Sequence, residues 1–258
     1  MKKKKLFSLT LSICVLIMVV FGVIFMFNCK LEVYKNSPVK INDAFTYTAH
    51  TGCLDTKDNS LESIDVGVCN GAQIVEFDVN YYDGIPVLSH DEPKGGEISL
   101  EQAFLKVKEY DNLRVNVDIK NTEYLEKVQI IAEETGVLDR IFFTGINLSD
   151  VEAVKKACPD VEYYLNVDVS SPKAQDEEYL MSLVAQVKEC GAVGINFNKA
   201  NATQELVDIF HENGLLVSIW TVNNKIDIYK ILSYGPDNIT TRRPDKLKAA
   251  IKEIKDNA

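Results

Sequence analysis

The feature that most constrains the fold of this 258-residue chain is a regular alternation of two kinds of segment. Short runs rich in β-branched and aromatic residues are separated by amphipathic stretches with helical spacing, several of which end at glycine. The runs lie at residues 45–50, 74–79, 114–119, 141–145, 162–167, 192–197, 215–221 and 237–241, and the helical stretches include residues 124–135, 148–157, 177–190 and 204–213. Eight strand-then-helix units predict an α/β fold, a (β/α)8 TIM-type barrel, whose active site lies at the carboxyl ends of the strands.

Composition fits one such barrel and limits its partners. Hydrophobic residues make up 46% of the chain and charged residues 26%, as in a globular protein with a sizeable core. The formal net charge is −10, and because the first 30 residues contain five lysines and no acid, the rest is more acidic still. Such a surface repels nucleic acid, so we expect no nucleic-acid partner. An anionic substrate would need a local cation, and a divalent metal is the natural candidate.

The N-terminal segment is long and apolar enough to cross a membrane. Residues 6–29 carry no charge, and at about 1.5 Å per helical residue they exceed the ~30 Å hydrocarbon layer. Four lysines precede them, which favours a cytoplasmic N-terminus and an extracellular domain, hence a single-pass cell-membrane protein. A cleaved signal peptide and lipidation at Cys29 are the alternatives. We therefore divide the chain into a lysine run with a transmembrane anchor (1–30), a linker (31–43) and the barrel (44–258).

Four cysteines fall within the predicted barrel, and none has the C-x-x-C spacing of a metal site. A disulfide between Cys53 and Cys69 is conceivable in an oxidising exterior, whereas free thiols are the alternative.

A histidine and two acids stand at the ends of the first two predicted strands. His50 follows the first run directly, and the second run places Glu76 and Asp78 on one face, since strand residues two apart point the same way. Two carboxylates in a barrel mouth repel each other unless a cation lies between them. The pair therefore indicates a site for a hard cation such as Mg²⁺ or Ca²⁺. The alternative is an edge strand whose acids face water.

Further polar residues follow the same pattern. His90 ends an apolar run after an Asp-Gly turn, whereas His211 lies near a predicted helix end, where a structural role facing the helix dipole suffices. His50, His90 and the acidic pair together suggest a general acid and a general base around a metal. Asp118 and Lys120 share one face of a later strand. Asp118 suits a third metal ligand and Lys120 a phosphate contact, while an internal ion pair between them is the alternative.

Several strings resemble the glycerophosphodiester phosphodiesterase (GDPD) family. They are A-H-T-G, D-N-S-L-E-S, G-A-Q-I-V-E-F-D-V and Y-Y-D-G-I-P-V-L-S-H-D in residues 49–91, followed by V-D-I-K, S-I-W-T-V-N and G-P-D-N-I-T-T-R-R-P. The resemblance implies catalytic roles for His50 and His90. It also implies metal binding by an acidic set and substrate binding by two further residues: Glu76, Asp78 and Asp118 for the metal, Lys120 and Trp220 for the substrate.

The chain departs from the family pattern at four positions. Thr51 stands where the family has arginine after its first histidine, so a bidentate phosphate contact is absent there. Asp58 and Asp118 replace glutamates, and Arg242 replaces an aspartate. Asp118 is one methylene shorter than glutamate but can still ligate, and Arg242 adds positive charge near the barrel mouth.

The resemblance implies metal-dependent hydrolysis of glycerophosphodiesters to glycerol phosphate and an alcohol, with two histidines exchanging protons. The expected partner is a small-molecule or lipid-derived phosphodiester, together with a membrane that holds the N-terminal helix. Two alternatives stay open. One is a phospholipase C- or D-like enzyme that acts on a lipid phosphodiester, and the other is a catalytically weakened binding barrel.

Overall fold

The computed structural model describes residues 2–39 and 41–257 and contains a long N-terminal helix followed by one barrel. Helix α1 spans Lys2–Lys35. The strands are β1 Thr46–Ala49, β2 Ile74–Tyr82, β3 Ile85–Leu88, β4 Arg114–Ile119, β5 Ile141–Ile146, β6 Tyr163–Asn166, β7 Gly194–Asn198, β8 Leu216–Trp220 and β9 Asn238–Thr241. The other helices are α2 Leu61–Cys69, α3 Leu100–Lys108, α4 Leu125–Thr135, α5 Val151–Ala157, α6 Glu177–Cys190, α7 Gln204–Glu212, α8 Lys225–Tyr234 and α9 Pro244–Asn257.

Over the described ranges, eight parallel strands close into a barrel in the order β1-β2-β4-β5-β6-β7-β8-β9, and β9 pairs with β1. Each of the eight runs predicted from the sequence overlaps one of these strands, so the prediction of a (β/α)8 barrel is confirmed. The predicted helices at 124–135, 148–157, 177–190 and 204–213 correspond to α4, to a short 3₁₀ turn followed by α5, to α6 and to α7.

One strand was not counted in the prediction. Strand β2 extends past the barrel rim to Tyr82, and β3 returns antiparallel to it, with Tyr82 paired to Ile85. The two residues between them, Asp83 and Gly84, have φ of 48° and 72°. Positive φ at both positions is the geometry of a tight two-residue hairpin turn. The hairpin places the residues that follow β3 above the barrel mouth.

Apolar side chains fill the layer between the strands and the helices, whereas polar side chains line the barrel interior near the carboxyl ends of the strands. Valines, isoleucines and phenylalanines such as Val115, Phe143 and Ile195 are fully buried in the core between the strands and the helices. Buried polar side chains face inward on neighbouring strands and bond to one another: Thr144 Oγ1 donates to Asn116 Oδ1 (2.8 Å), and Asn196 Nδ2 donates to Asn166 Oδ1 (3.1 Å). Buried polar groups need such partners, and here they form a polar floor under the site.

Helix α1 continues beyond the apolar segment and contacts the barrel. Leu31 and Tyr34 pack against the core, and Lys35 pairs with Glu253 of α9. The predicted linker begins at residue 31, whereas helix α1 continues to Lys35 because these contacts stabilise its last turn. Within α1, residues Val15–Lys35 have a mean hydropathy of 2.0, and residues 15–30 are exposed. Their length and composition suit a membrane span and suit a signal sequence equally well.

The cysteines of the barrel are free thiols. Cys53, Cys158 and Cys190 are buried and Cys69 is exposed. The structure therefore favours the thiol alternative over a bridge between Cys53 and Cys69.

Candidate active site

Three carboxylates converge at the carboxyl ends of β2 and β4. Glu76 and Asp78 are two residues apart on β2, and Asp118 lies opposite Asp78 in the register of β2 with β4. Each offers a carboxylate oxygen, and these oxygens all lie within 4.8 Å of one another. Glu76 and Asp78 are 6% and 3% exposed, so water shields their mutual repulsion poorly. The acids predicted from the sequence are therefore brought together, and they do not face water along an edge strand.

Burial and the repulsion between the carboxylates both act on Glu76. Removal from water, together with the charges of Asp78 and Asp118, raises the pKa of Glu76 well above its usual range, although His50 and the Thr51 N–H oppose the change. The protein groups around Glu76 therefore compensate its negative charge only in part. A hard dication among the three oxygens would compensate it, so the donor set fits Mg²⁺ or Ca²⁺.

Asn59 orients Asp78, a role that the sequence did not reveal. Its Nδ2 donates to Asp78 Oδ2 (2.9 Å), and its Oδ1 accepts from the backbone N–H of Asp78 (3.0 Å). Asn59 itself has a φ of 54°, and its backbone N–H donates to Thr51 Oγ1 (2.5 Å). Asn59 belongs to the D-N-S string, but its contact depends on a left-handed backbone and on a partner 19 residues away. The two hydrogen bonds fix the direction of one carboxylate in the cluster.

Lys120 bridges two of the three acids. Its Nζ lies 2.8 Å from Asp78 Oδ1 and 2.6 Å from Asp118 Oδ2. Burial lowers the pKa of the ammonium, but the charges of Asp118 and Asp78 outweigh burial, so the pKa of Lys120 lies above its usual value. Lys120 and Asp118 thus form the internal ion pair that was the alternative at the level of sequence. The ammonium also lines the cavity, where it is available to an anionic ligand.

His50 lies against the buried end of the cluster. Its Nδ1 is 2.9 Å from the carbonyl oxygen of Thr51 and 3.5 Å from Glu76 Oε2. A carbonyl oxygen only accepts hydrogen bonds, so Nδ1 carries the proton and Nε2 of the neutral ring is left with a lone pair. The Thr51 N–H in turn donates to Glu76 Oε2 (2.8 Å). His50 is therefore held in one tautomer beside a buried carboxyl group.

His90 reaches the same cavity from the hairpin. It follows β3, its Nδ1 lies 2.9 Å from Asp91 Oδ1, and its side chain is 69% exposed. Both histidines line a cavity of about 600 Å³ that also contains the three acids, Lys120 and Trp220. All seven residues proposed from the sequence thus face one space. His211 lies elsewhere and pairs with Asp237 (2.8 Å), in keeping with a structural role.

Three of the residues that depart from the family pattern make defined contacts in the structure. Thr51 is 2% exposed and turns its hydroxyl toward Asn59 rather than into the cavity. Arg242 Nη1 pairs with Asp58 Oδ1 (2.5 Å). A Cβ on Gly52 would lie 1.9 Å from that Asp58 oxygen, so the ion pair rests on a position that only glycine can occupy. The Arg242 guanidinium thus lies beside the cavity, where it pairs with Asp58, and Arg242 is not part of the cavity lining.

Comparison with known proteins agrees with the fold and identifies the family. The sequence profile of the glycerophosphoryl diester phosphodiesterase family matches residues 96–246, more than half of the chain. A glycerophosphodiester phosphodiesterase of Bacillus altitudinis is 25% identical over 247 residues, covering 85% of this chain and 95% of that protein.

Two solved structures share the fold. A glycerophosphodiester phosphodiesterase from Parabacteroides distasonis superposes with a TM-score of 0.65 at 20% identity, covering 84% of this chain and 99% of that one. A phosphodiesterase of Oleispira antarctica, solved with the product sn-glycerol-3-phosphate, gives a TM-score of 0.63 at 20% identity, with coverages of 85% and 98%.

A barrel with clustered acids and a cationic side chain at its mouth, matched by such relatives, defines a hydrolase of phosphoric diesters. The chain belongs to the glycerophosphoryl diester phosphodiesterase family, and its enzyme class is that of a phosphoric diester hydrolase. The matched range contains Asp118, Lys120 and Trp220, while His50, Glu76, Asp78 and His90 precede it. The roles of those four residues therefore depend on their motifs and on the geometry described above.

Proposed function

We propose that the chain hydrolyses glycerophosphodiesters to glycerol phosphate and an alcohol, with a divalent metal held by Glu76, Asp78 and Asp118. The observation that supports this most strongly is the convergence of three carboxylate oxygens within 4.8 Å of one another at the mouth of the barrel. A divalent cation, either Mg²⁺ or Ca²⁺, would supply positive charge to the phosphoryl oxygens. Lys120, with its raised pKa, stays protonated and supports the same charge neutralisation.

His50 and His90 transfer the protons. Each has its Nδ1 engaged by an oxygen acceptor, which leaves Nε2 free to face the substrate. One histidine takes the proton from the attacking oxygen, which belongs to water or to the substrate's adjacent hydroxyl; in the second case the first product is a cyclic phosphate, which water then opens to glycerol phosphate. The other gives a proton to the departing alkoxide as its bond to phosphorus breaks. Trp220, at the end of β8, forms one wall of the space in which the substrate lies.

The test measures release of glycerol phosphate from glycerophosphodiesters by the full chain, with and without a chelator. We expect activity to disappear with chelation and to return with Mg²⁺ or Ca²⁺. A Glu76→Gln, Asp78→Asn double variant should lose the divalent site in calorimetry, whereas a His50→Asn variant should keep metal binding and lose turnover. Unchanged metal binding in the double variant would exclude the proposed ligand set.

We further propose that α1 anchors the enzyme in the cell membrane with the barrel outside. Support comes from the exposed apolar surface of residues 15–30 and from the lysines near the start of the chain. Carbonate-washed membranes should retain the full-length protein, and externally added protease should digest the barrel in intact cells. A soluble, N-terminally trimmed product would identify α1 as a signal sequence instead.

A further inference from the structure

Charge is distributed unevenly along the barrel, and its last two helices differ from the rest. Residues 44–224 contain 13 basic and 31 acidic residues. Residues 225–258, which include α8 and α9, contain eight basic and five acidic residues. A barrel that is acidic overall therefore carries one basic region, on α8 and α9.

The lysines of α8 and α9 form no ion pair within residues 2–39 and 41–257, the ranges that the structure describes. All but Lys230 are exposed, and the set is Lys225, Lys230, Lys246, Lys248, Lys252 and Lys255. Three of the four acids on the same two helices are already neutralised by other basic residues. The pairs are Asp227 with Lys199, Asp245 with Arg243, and Glu253 with Lys35. The positive charge of the lysines is thus available to a partner outside the chain.

Helix α1 meets the barrel at this same region. Leu31 and Tyr34 pack against the core, and Lys35 Nζ lies 5.5 Å from the centre of the Tyr229 ring on α8. Phe27 belongs to the exposed apolar segment, and Leu31 follows it by about one turn, or ~6 Å along the helix. The headgroup layer outside the hydrocarbon of a bilayer is about 5 to 8 Å thick. If α1 spans a membrane, α8 therefore lies at the level of the lipid headgroups.

Anionic phospholipids have the charge that this region lacks. Lysines near a membrane surface are attracted to anionic headgroups, and the attraction extends over about 10 Å at 0.1 M salt. The rest of the barrel, with its excess of acids, is repelled by the same lipids. A barrel held by α1 therefore has one favourable orientation, with α8 and α9 toward the bilayer.

We propose that α8 and α9 form a docking surface for the anionic phospholipid headgroups of the membrane in which α1 is anchored. The proposal rests on the proposed anchoring through α1 and does not depend on the catalytic roles. The helices of such a barrel form a ring around the strands and run alongside them. A barrel that lies on α8 and α9 consequently opens its mouth along the membrane rather than into it, and the substrate enters from the water layer above the headgroups.

The test places the full chain in lipid nanodiscs and measures the acetylation rate of each lysine by mass spectrometry. One set of discs contains phosphatidylcholine alone, and the other contains an equal mixture with phosphatidylglycerol. Lys246, Lys252 and Lys255 should react at least about threefold more slowly in the anionic discs, and the difference should shrink at about 0.5 M salt.

Other exposed lysines serve as controls. Lys155 and Lys156 lie on α5, which follows β5, the strand opposite β9 in the closed barrel. Lys94 follows the hairpin above the barrel mouth. All three should react equally in the two kinds of disc. Slower reaction of Lys94 in anionic discs would show that the mouth faces the bilayer and would overturn the proposed orientation.

Charge-reversal variants identify the surface. A Lys252→Glu, Lys255→Glu variant should remove the slow reaction of Lys246, whereas a Lys155→Glu, Lys156→Glu variant should keep it. If the chain enters both kinds of disc and the lysines of α9 react alike in them, the anchor stands and the docking surface is refuted. If soluble polyphosphate slows these lysines in neutral discs while anionic lipid does not, the surface binds a polyanion and the proposal is also refuted.

Two further outcomes separate this proposal from the others. A chain that enters neither kind of disc would contradict the anchoring through α1, and the docking surface would fail with it. Cleavage of glycerophosphodiesters is measured in the same discs. Absence of cleavage, with the lysines of α9 protected as expected, would contradict the proposed catalysis and leave the docking surface in place.

Discussion

Replacing Lys120 by methionine should change metal affinity and turnover in opposite directions. The ammonium lies 2.8 Å from Asp78 Oδ1 and 2.6 Å from Asp118 Oδ2, so it engages two of the carboxylates that we assign to the metal. Methionine keeps most of the aliphatic stem and removes the charge. A divalent cation then binds the acids without competing against a fixed cation, whereas the phosphate of the substrate loses a positive partner.

The expected change in metal affinity follows from the short distances between the Lys120 ammonium and the two carboxylates. Two unit charges about 4 Å apart interact by about 4 kcal/mol at an effective dielectric constant of about 20. The Lys120 side chain is still 21% exposed, and its ammonium can move aside when a metal binds, so only part of this energy is recovered. We expect metal dissociation constants to fall about 10- to 100-fold, equivalent to about 1.4 to 2.7 kcal/mol. We expect kcat/KM to fall about 100-fold because a charge-assisted contact to the phosphate is lost.

Calorimetry with Mg²⁺ and Ca²⁺ measures the first quantity, and release of glycerol phosphate at saturating metal measures the second. Lys199→Met is a matched control, since Lys199 pairs with Asp227, both side chains are 28% exposed, and neither lines the cavity. It should leave both quantities unchanged. Unchanged or weaker metal binding in Lys120→Met, with a normal control, would refute the shared use of these carboxylates.

Three further substitutions test the supports of the site. Asn59→Ala should weaken metal binding about 10- to 100-fold in calorimetry by releasing Asp78, whereas Asn147→Ala, which breaks a similar contact to an acid outside the cluster, should not. Thr51→Arg should lower the free energy of unfolding by about 1 to 3 kcal/mol in urea titrations because it buries a charge and removes a hydroxyl acceptor, and Thr51→Ser should be nearly neutral. Gly145→Ala should lower the free energy of unfolding by at least about 2 kcal/mol in the same assay, since the new methyl group would collide with the backbone at Ile119. A loss below ~0.5 kcal/mol, as expected at ordinary surface positions, would show that this backbone is free to move.

Much of the fold could be predicted from the sequence because local patterns determine it. A buried parallel strand needs a run of apolar residues, and a helix that covers it needs an apolar stripe, so the alternation alone indicated eight units. The acids could be placed for the same reason. Glu76 and Asp78 interrupt an apolar strand, and strand geometry puts them on one face whatever the surroundings.

The remaining features depend on contacts between distant residues. The pattern did not show that Lys120 also reaches Asp78, since that contact depends on the register of β2 with β4. The contact of Asn59 with Asp78 and the burial of Thr51 need a loop conformation with positive φ, which composition does not specify. The last turn of α1 persists because Leu31 and Tyr34 find partners on the barrel. None of these contacts produces a periodic pattern in the sequence from which it could be predicted.

The two histidines are carried by different parts of the fold. His50 follows β1, which is hydrogen-bonded on both sides within the closed barrel, whereas His90 follows β3, which pairs with the protruding end of β2. The length and twist of the hairpin therefore determine how far His90 lies from His50. A change in the hairpin can alter that spacing, and with it the size of substrate that fits between the two rings, while the strand pairing of the closed barrel is kept.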